Sequence, residues 1–232
     1  MFRFKQFAIE QDACPMKVGT DGVLLGAWAA LDAADRRVLD VGTGTGVIAL
    51  MLAQRAPAAR ITALDIDAAC AEQARGNADR SPWAERVETL CMPVQEYRPE
   101  EPFDLVVSNP PYYDRSLLPP DAGRTTARHT VALSYGELIA AVCRLLTPEG
   151  RFDVILPAAE SLHFREQTHG RLALRRLTEV WSTPRSGVKR CLMEFVRGGA
   201  AALHSDRLVI EEAPARFTEE YRRLTGNFYL KF

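Results

Sequence analysis

The stretch VLDVGTGTGVIAL, residues 38–50, decides how the rest of the chain is read. A short apolar run passes directly into glycines at 42, 44 and 46, and then into VIALMLAQRA (47–56), which has the denser apolar face of a helix and stops before Pro57. Glycines at that junction permit a tight strand-to-helix turn and let a ligand approach the backbone, where the first turn of the helix offers unpaired N–H groups. Strand, glycine turn and helix in that order point to an α/β unit whose strand end is open to a ligand, a signal that needs an acid at the tip of the next strand to become specific.

Working outward, the same alternation continues. A helix is expected over 20–31, before the first strand RRVLDVG (36–42). RITALDID (60–67) reads as a strand, AACAEQARGNAD (68–79) as a helix and RVETLCM (86–92) as a strand. FDLVVSN (103–109) is a fourth strand, LSYGELIAAVCRLL (133–146) a helix and GRFDVILP (150–157) a fifth strand. Strands separated by helices of this length imply right-handed crossovers and a parallel sheet covered on both faces. After a helix near 158–169, RLALRRLTEVWST (171–183) and KRCLMEFVRG (189–198) alternate like paired strands joined through PRSG. LVIEE (208–212) reads as a further edge strand and FTEEYRRLTG (217–226) as a terminal helix. The expected fold is α/β: a Rossmann-like, doubly wound, mostly parallel seven-stranded sheet with an antiparallel C-terminal hairpin, in one domain spanning 1–232. The one long loop, DRSLLPPDAGRTTARH (114–129), is a candidate functional segment, because compact domains rarely keep such loops without a use.

Composition narrows the function classes. The 232 residues are 47% hydrophobic and 25% charged with a net charge of −1, so no global positive field advertises nucleic acid. The longest apolar stretch, GVLLGAWAAL (22–31), is half of the roughly 20 residues a membrane span needs. A soluble cytoplasmic protein without a membrane partner is expected. The five cysteines are scattered and form no CxxC pair, and the four histidines show no ligand spacing, so reduced cysteines and no metal are expected.

An acid at the tip of the second strand, Asp65 in ALDID, supplies the carboxylate that such sheets use to bind the ribose hydroxyls of an adenosine-containing ligand. NAD and S-adenosylmethionine both fit that description. The spacing GTGTG and Asp40 immediately before it favour the second, since a carboxylate there repels a pyrophosphate but suits a cationic methionyl group. Thr20 and Asp21 can either line the methionyl end or cap the helix that follows.

The fourth strand leaves through SNPPYYD (108–114). An X-Pro exit with packing tyrosines is an ordinary strand end. In a doubly wound sheet, however, this strand ends beside the glycine turn, at the switch in strand order where ligands bind.

VLDVGTGTG, ALDID and SNPPYY together resemble the class I S-adenosylmethionine-dependent methyltransferases that act on amino groups. FKQF (4–7), MKVGTDGVLLGAW (16–28) and EEYRRLTGNFYLKF (219–232) extend the match over nearly the whole chain, to the bacterial family that methylates N6 of adenine-37, beside the anticodon of a valine tRNA. The resemblance implies S-adenosyl-L-methionine held by Thr20, Asp40, Gly42, Thr43 and Gly44. It adds Gly46, Asp65, Ile66, Gln95 and Asn109 to the same site. Relatives commonly carry an acid after the third strand, where this chain has Pro93 in CMPVQEY, which shifts that contact to backbone groups or Gln95.

The chemistry of the acceptor gives the motif its roles. An exocyclic adenine nitrogen is a poor nucleophile because its lone pair is delocalised into the ring. The Asn109 side-chain oxygen and the Pro110 carbonyl can each accept one N–H of that amine, and Tyr112 can stack on the base. Lys5, Lys17, Arg115, Arg124, Arg128, Lys189 and Arg190 are the candidates for a basic rim that binds an anticodon stem-loop through phosphates. A tRNA partner, no DNA and a monomer are expected. The rivals are a methyltransferase of another planar amine, in ribosomal RNA or a release-factor glutamine, and a silent RNA-binding module.

Overall fold

A computed structural model describes residues 1–111, 133–198 and 202–231. Two short paired strands, β1 (Phe2–Arg3) and β2 (Ala8–Ile9), precede helix α1 (Thr20–Trp28). The alternating core follows: β3 (Arg37–Val41), α2 (Val47–Arg55), β4 (Arg60–Asp65), α3 (Ala68–Asp79), β5 (Val87–Cys91) and β6 (Phe103–Ser108). Then come α4 (Tyr135–Leu145), β7 (Leu146–Pro157), α5 (Ala158–Thr168), β8 (Leu172–Trp181), β9 (Val188–Arg197) and β10 (His204–Val209). The chain closes with the small pair β11 (Glu211–Ala213) and β12 (Arg216–Phe217) and helix α6 (Glu219–Thr225).

The central sheet has eight strands in the order β10-β8-β9-β7-β6-β3-β4-β5. The seven expected strands are all present, and β10 adds an eighth, pairing parallel with β8 from His204 to Val209. It begins before the apolar LVIEE because its early residues, HSDR, are exposed edge positions with no hydrophobic signature. LVIEE itself divides, with Glu211 turning away to pair with Phe217. The β8–β9 hairpin is antiparallel, as is the β7–β9 pairing, whereas β4, β3, β6 and β7 run parallel.

Alternate residues of the buried strands feed two cores. Val38, Leu105, Val107 and Ile155 pack with α1 and α2, while Leu39, Val106, Phe152 and Val154 pack with α4 and α5. Helix α4 starts with a full capping box, Ser134 with Glu137. Helix α1 is fixed to the sheet at its far end: Trp28 Nε1 donates to Thr178 Oγ1 at 2.8 Å, and the Arg176 guanidinium lies 3.5 Å from the Trp28 ring centre. This anchorage matters because the other end of α1 reaches the site. Among the described residues no helix is long and apolar enough to cross a membrane.

Candidate cofactor and acceptor site

The carboxyl ends of β3, β4, β5 and β6 meet at one edge of the sheet. Register places Val41 of β3 opposite Ser108 of β6, and Ser108 Oγ donates to the Val41 carbonyl at 2.9 Å. Asn109 therefore emerges beside Gly42, although the two are far apart in sequence.

Two adjoining hollows lie at this edge. One, about 290 Å³, is lined by Leu64, Asp65, Ile66, Met92, Pro93 and Gln95, with Cys14, Met16 and Pro111 closing it. The other, about 380 Å³, is lined by Thr20, Asp21, Gly22, Thr43, Thr45 and Arg190. Met16, Gly42, Gly44 and Asn109 border both. Together they are of the size usual for small-molecule sites. A larger open groove of about 1110 Å³, beside Arg165, His169 and Arg171, lies where β8 begins and β9 ends, away from the glycine turn.

The turn itself needs its glycines: Gly42, Gly44 and Gly46 have φ of 72°, 56° and 81°, the left-handed region that side chains disfavour. Asp65 holds it in place, accepting from the Gly44 N–H at 2.8 Å through Oδ2 and from the Asp67 N–H at 2.9 Å through Oδ1. Burial raises the Asp65 pKa, against these amide bonds.

Asp40 sits differently from its sequence expectation. It is wholly buried beneath the turn, and Oδ2 accepts from Thr43 Oγ1 at 2.6 Å. Oδ1 has no hydrogen bond of normal geometry. Burial pushes its pKa up to about 7, opposed by the Thr43 hydroxyl and the Ala49 amide and reinforced by Asp65. Asp40 thus faces the hollow through Thr43, because β3 is central and its polar side chain points into the packing layer below α2.

Other expectations resolve as follows. Thr20 begins α1 and lines the second hollow; the cap position is Gly19 and carries no side-chain bond, so the capping reading falls. Ile66 and Gln95 border the first hollow with Pro93, and α4 fixes that segment, Arg144 donating to the carbonyls of Val94 and Tyr97 at 2.9 and 2.6 Å. Pro110 is buried directly behind Asn109. Tyr112, Arg115, Arg124 and Arg128 lie outside the described residues.

The basic candidates separate. Lys5 Nζ donates to the Gly226 carbonyl at 2.5 Å and Lys17 Nζ to the carbonyls of Gln11 and Cys14 at 2.6 and 3.0 Å, so both are committed to the chain's own backbone. Arg190 Nε pairs with Asp21 at 2.7 Å at the wall of the second hollow. It therefore borders the pocket itself; the pairing joins residues 169 apart, which sequence spacing does not reveal. Lys189 stays exposed.

Sequence reading took MKV (16–18) into the family match but did not single out the strap over 10–18 that these residues close. It crosses the site because α3 holds it: Ala13 N–H donates to Gln73 Oε1 at 3.0 Å, and Cys14 is joined to Cys70 by a disulfide. That bridge corrects the expectation that all five cysteines are reduced. The strap folds back so that the two Cα atoms stand 5.0 Å apart, within bridging reach, although 56 residues separate them. Among the described residues no group of three or more His, Cys, Asp or Glu side chains could hold a metal.

Residues 21–162 match the model of the methyltransferase small domain. The chain belongs to that family. A relative from Phocaeicola vulgatus, named tRNA1(Val) (adenine(37)-N6)-methyltransferase, is 47% identical over 99% of this chain and 97% of its own length. A relative of the same name from Flavobacterium johnsoniae is 43% identical over the full length of both. Among solved structures, one described as a predicted O-methyltransferase from Agrobacterium tumefaciens superposes with a TM-score of 0.73 at 21% identity, over 90% of this chain and 96% of that one, a likeness of fold alone. S-adenosylmethionine is accordingly the methyl donor. The residues present fit it: a glycine cradle open toward the hollow at Gly42, where an added Cβ would meet nothing within 4 Å, a carboxylate at the tip of β4, and an incompletely paired buried carboxylate beneath the glycine turn.

Proposed function

We propose that the protein methylates N6 of adenine-37, next to the anticodon, in a valine tRNA. The carrying observation is the position of Asn109, which borders both hollows of the cofactor site while leading into the proline turn. The tRNA and the nucleotide come from the names of relatives at 43–47% identity that match end to end.

The bound donor supplies a methyl group on a good leaving group, so the protein's task is mainly to position the acceptor. Asn109 Oδ1 and the Pro110 carbonyl each accept one N–H of the adenine amine, which localises the nitrogen lone pair toward the donor. Proline has no N–H to compete at that turn, so it presents carbonyls only. Asp65 binds the ribose hydroxyls, Thr20 and the glycine turn surround the methionyl end, and Gln95 and Ile66 border the base. Tyr112 stacks on the acceptor base, a role that rests on the motif.

Arg115, Arg124 and Arg128, which follow the proline turn in sequence, and the exposed Lys189 bind the RNA phosphates. The protein works as a cytoplasmic monomer. Incubation with labelled S-adenosylmethionine and either tRNA or a release factor, followed by mapping of the modified residue, tests the assignment. Label at adenine-37 that disappears in Asn109→Ala supports it; label on protein glutamine, or none on tRNA, overturns it. Charge reversal at Arg124 and Arg128 should weaken tRNA binding and flatten its salt dependence while sparing the cofactor.

A further inference from the structure

Asn77 is a fully buried polar residue on α3, a helix that contributes only Cys70 to the lining of the hollows. Its Nδ2 donates to the Glu10 carbonyl at 2.8 Å and to the Thr45 carbonyl at 2.9 Å. Its Oδ1 accepts from the Glu10 N–H at 2.9 Å and from Arg80 Nη2 at 3.0 Å. Both amide protons and both acceptor positions are therefore used.

The partners define what those bonds do. Glu10 opens the strap that carries Cys14, Pro15 and Met16 over the hollows, and Thr45 belongs to the glycine turn that forms their floor. Asn77 gripping both backbone groups of Glu10 imitates a strand partner for one residue. Gln73 on the same face of α3 and Arg80 at its C-terminal cap repeat the contact, to Ala13 and to the Glu10 carboxylate. The strap is also tied within itself, Lys17 to Gln11 and Cys14, and Val18 to Gln11. Alongside the Cys14–Cys70 bridge and the Gln73 and Arg80 contacts that tie the strap to α3, Asn77 is the side chain that bonds both the strap and the glycine turn.

We propose that Asn77 is a positioning residue for S-adenosylmethionine: it fixes the strap at the height above the glycine turn that the cofactor requires, without touching the cofactor or the acceptor. The proposal rests on the hollows being the cofactor site.

Asn77→Asp is the discriminating variant, because it keeps shape and the acceptor oxygen while setting a second oxygen against two carbonyls. The KM and Kd for S-adenosylmethionine should rise by about tenfold or more, with kcat at saturating cofactor and the KM for tRNA little changed. A role in folding alone would lower kcat through the active fraction and leave the cofactor KM where it was; that result overturns the proposal. If Asn77→Asp does not fold, Gln73→Ala, which removes one strap bond at a partly exposed position, should raise the cofactor Kd by about two- to fivefold; an unchanged Kd is again contrary. Calorimetric titration of the unaltered protein separates the two readings, since absence of binding there refutes the cofactor site itself, whereas normal binding unaffected in both variants refutes only the role of Asn77.

Discussion

Asp40 and Asp153 stand in one row across the sheet, Asp40 beside Val107 and Val107 beside Asp153, and both are wholly buried. Burial raises both carboxyl pKa values, to about 7 and about 8. Their surroundings differ. Asp153 lies within β7, opposite Glu194, with Arg151 and Arg176 near it and the Ala30 N–H donating to Oδ2 at 3.2 Å. Arg175 bonds Glu194 at 2.7 Å, while Glu194 adds to burial in raising the Asp153 pKa and Asp153 Oδ1, like Asp40 Oδ1, has no hydrogen bond of normal geometry. Asp40 has one hydroxyl, no arginine partner among the described residues, and the glycine turn above it. The two acids thus share burial and differ in neighbours: Asp153 accepts from the backbone just past the end of α1 with arginines near it, whereas Asp40 lies beneath the glycine turn.

The sharpest way to break this contrast is at the site's exit. Asn109→Ala should lower kcat by about a hundredfold or more, with a far smaller change in cofactor affinity, measured by methyl transfer and calorimetry. Asp65→Ala should weaken S-adenosylmethionine binding by about 10–100-fold, since it removes both the proposed ribose partner and the acceptor for the Gly44 amide.

Asp40 gives a pH signature. A cationic ligand favours its ionised form, so below its raised pKa binding must expel a proton. Cofactor affinity should then strengthen by up to about tenfold per unit as pH rises, levelling above about 7, and Asp40→Asn should flatten that slope. Equal slopes in the two proteins would remove Asp40 from the site.

The smallest effect is expected at Asp153. Its folded pKa is raised, so its contribution to stability is fully present below the unfolded value of 3.8 and is lost as pH rises through about 8. Asp153→Asn should reduce the fall in Tm between pH 6 and pH 9 by about 2–4 °C, without altering cofactor affinity. A change in affinity instead would show that the two ends of α1 are coupled, and the comparison would need to be redrawn.

The parts of the site that sequence made legible are local. A β-branched run, three glycines and a helix declare themselves within a dozen residues, and Asp65 and Asn109 follow as the tips of neighbouring strands. The same logic did not reveal the partner of Arg190, because a strand residue's partner depends on what packs against its face; here α1 brings Asp21 to it. The eighth strand was half visible, since its apolar end carried a pattern and its polar beginning did not. Cys14 and Cys70 lacked any motif, and only the return of the strap onto α3 brings them together.

What the sequence determined by itself is the order of elements, the crossover sheet and the chemistry at strand tips, because backbone propensity, apolar period and turn glycines act over short distances. Tertiary structure decided which tips meet, which charges are answered and how the strap lies over the turn. Those depend on contacts between segments far apart in the chain, where one buried amide such as Asn77 can satisfy two of them at once and no spacing announces it.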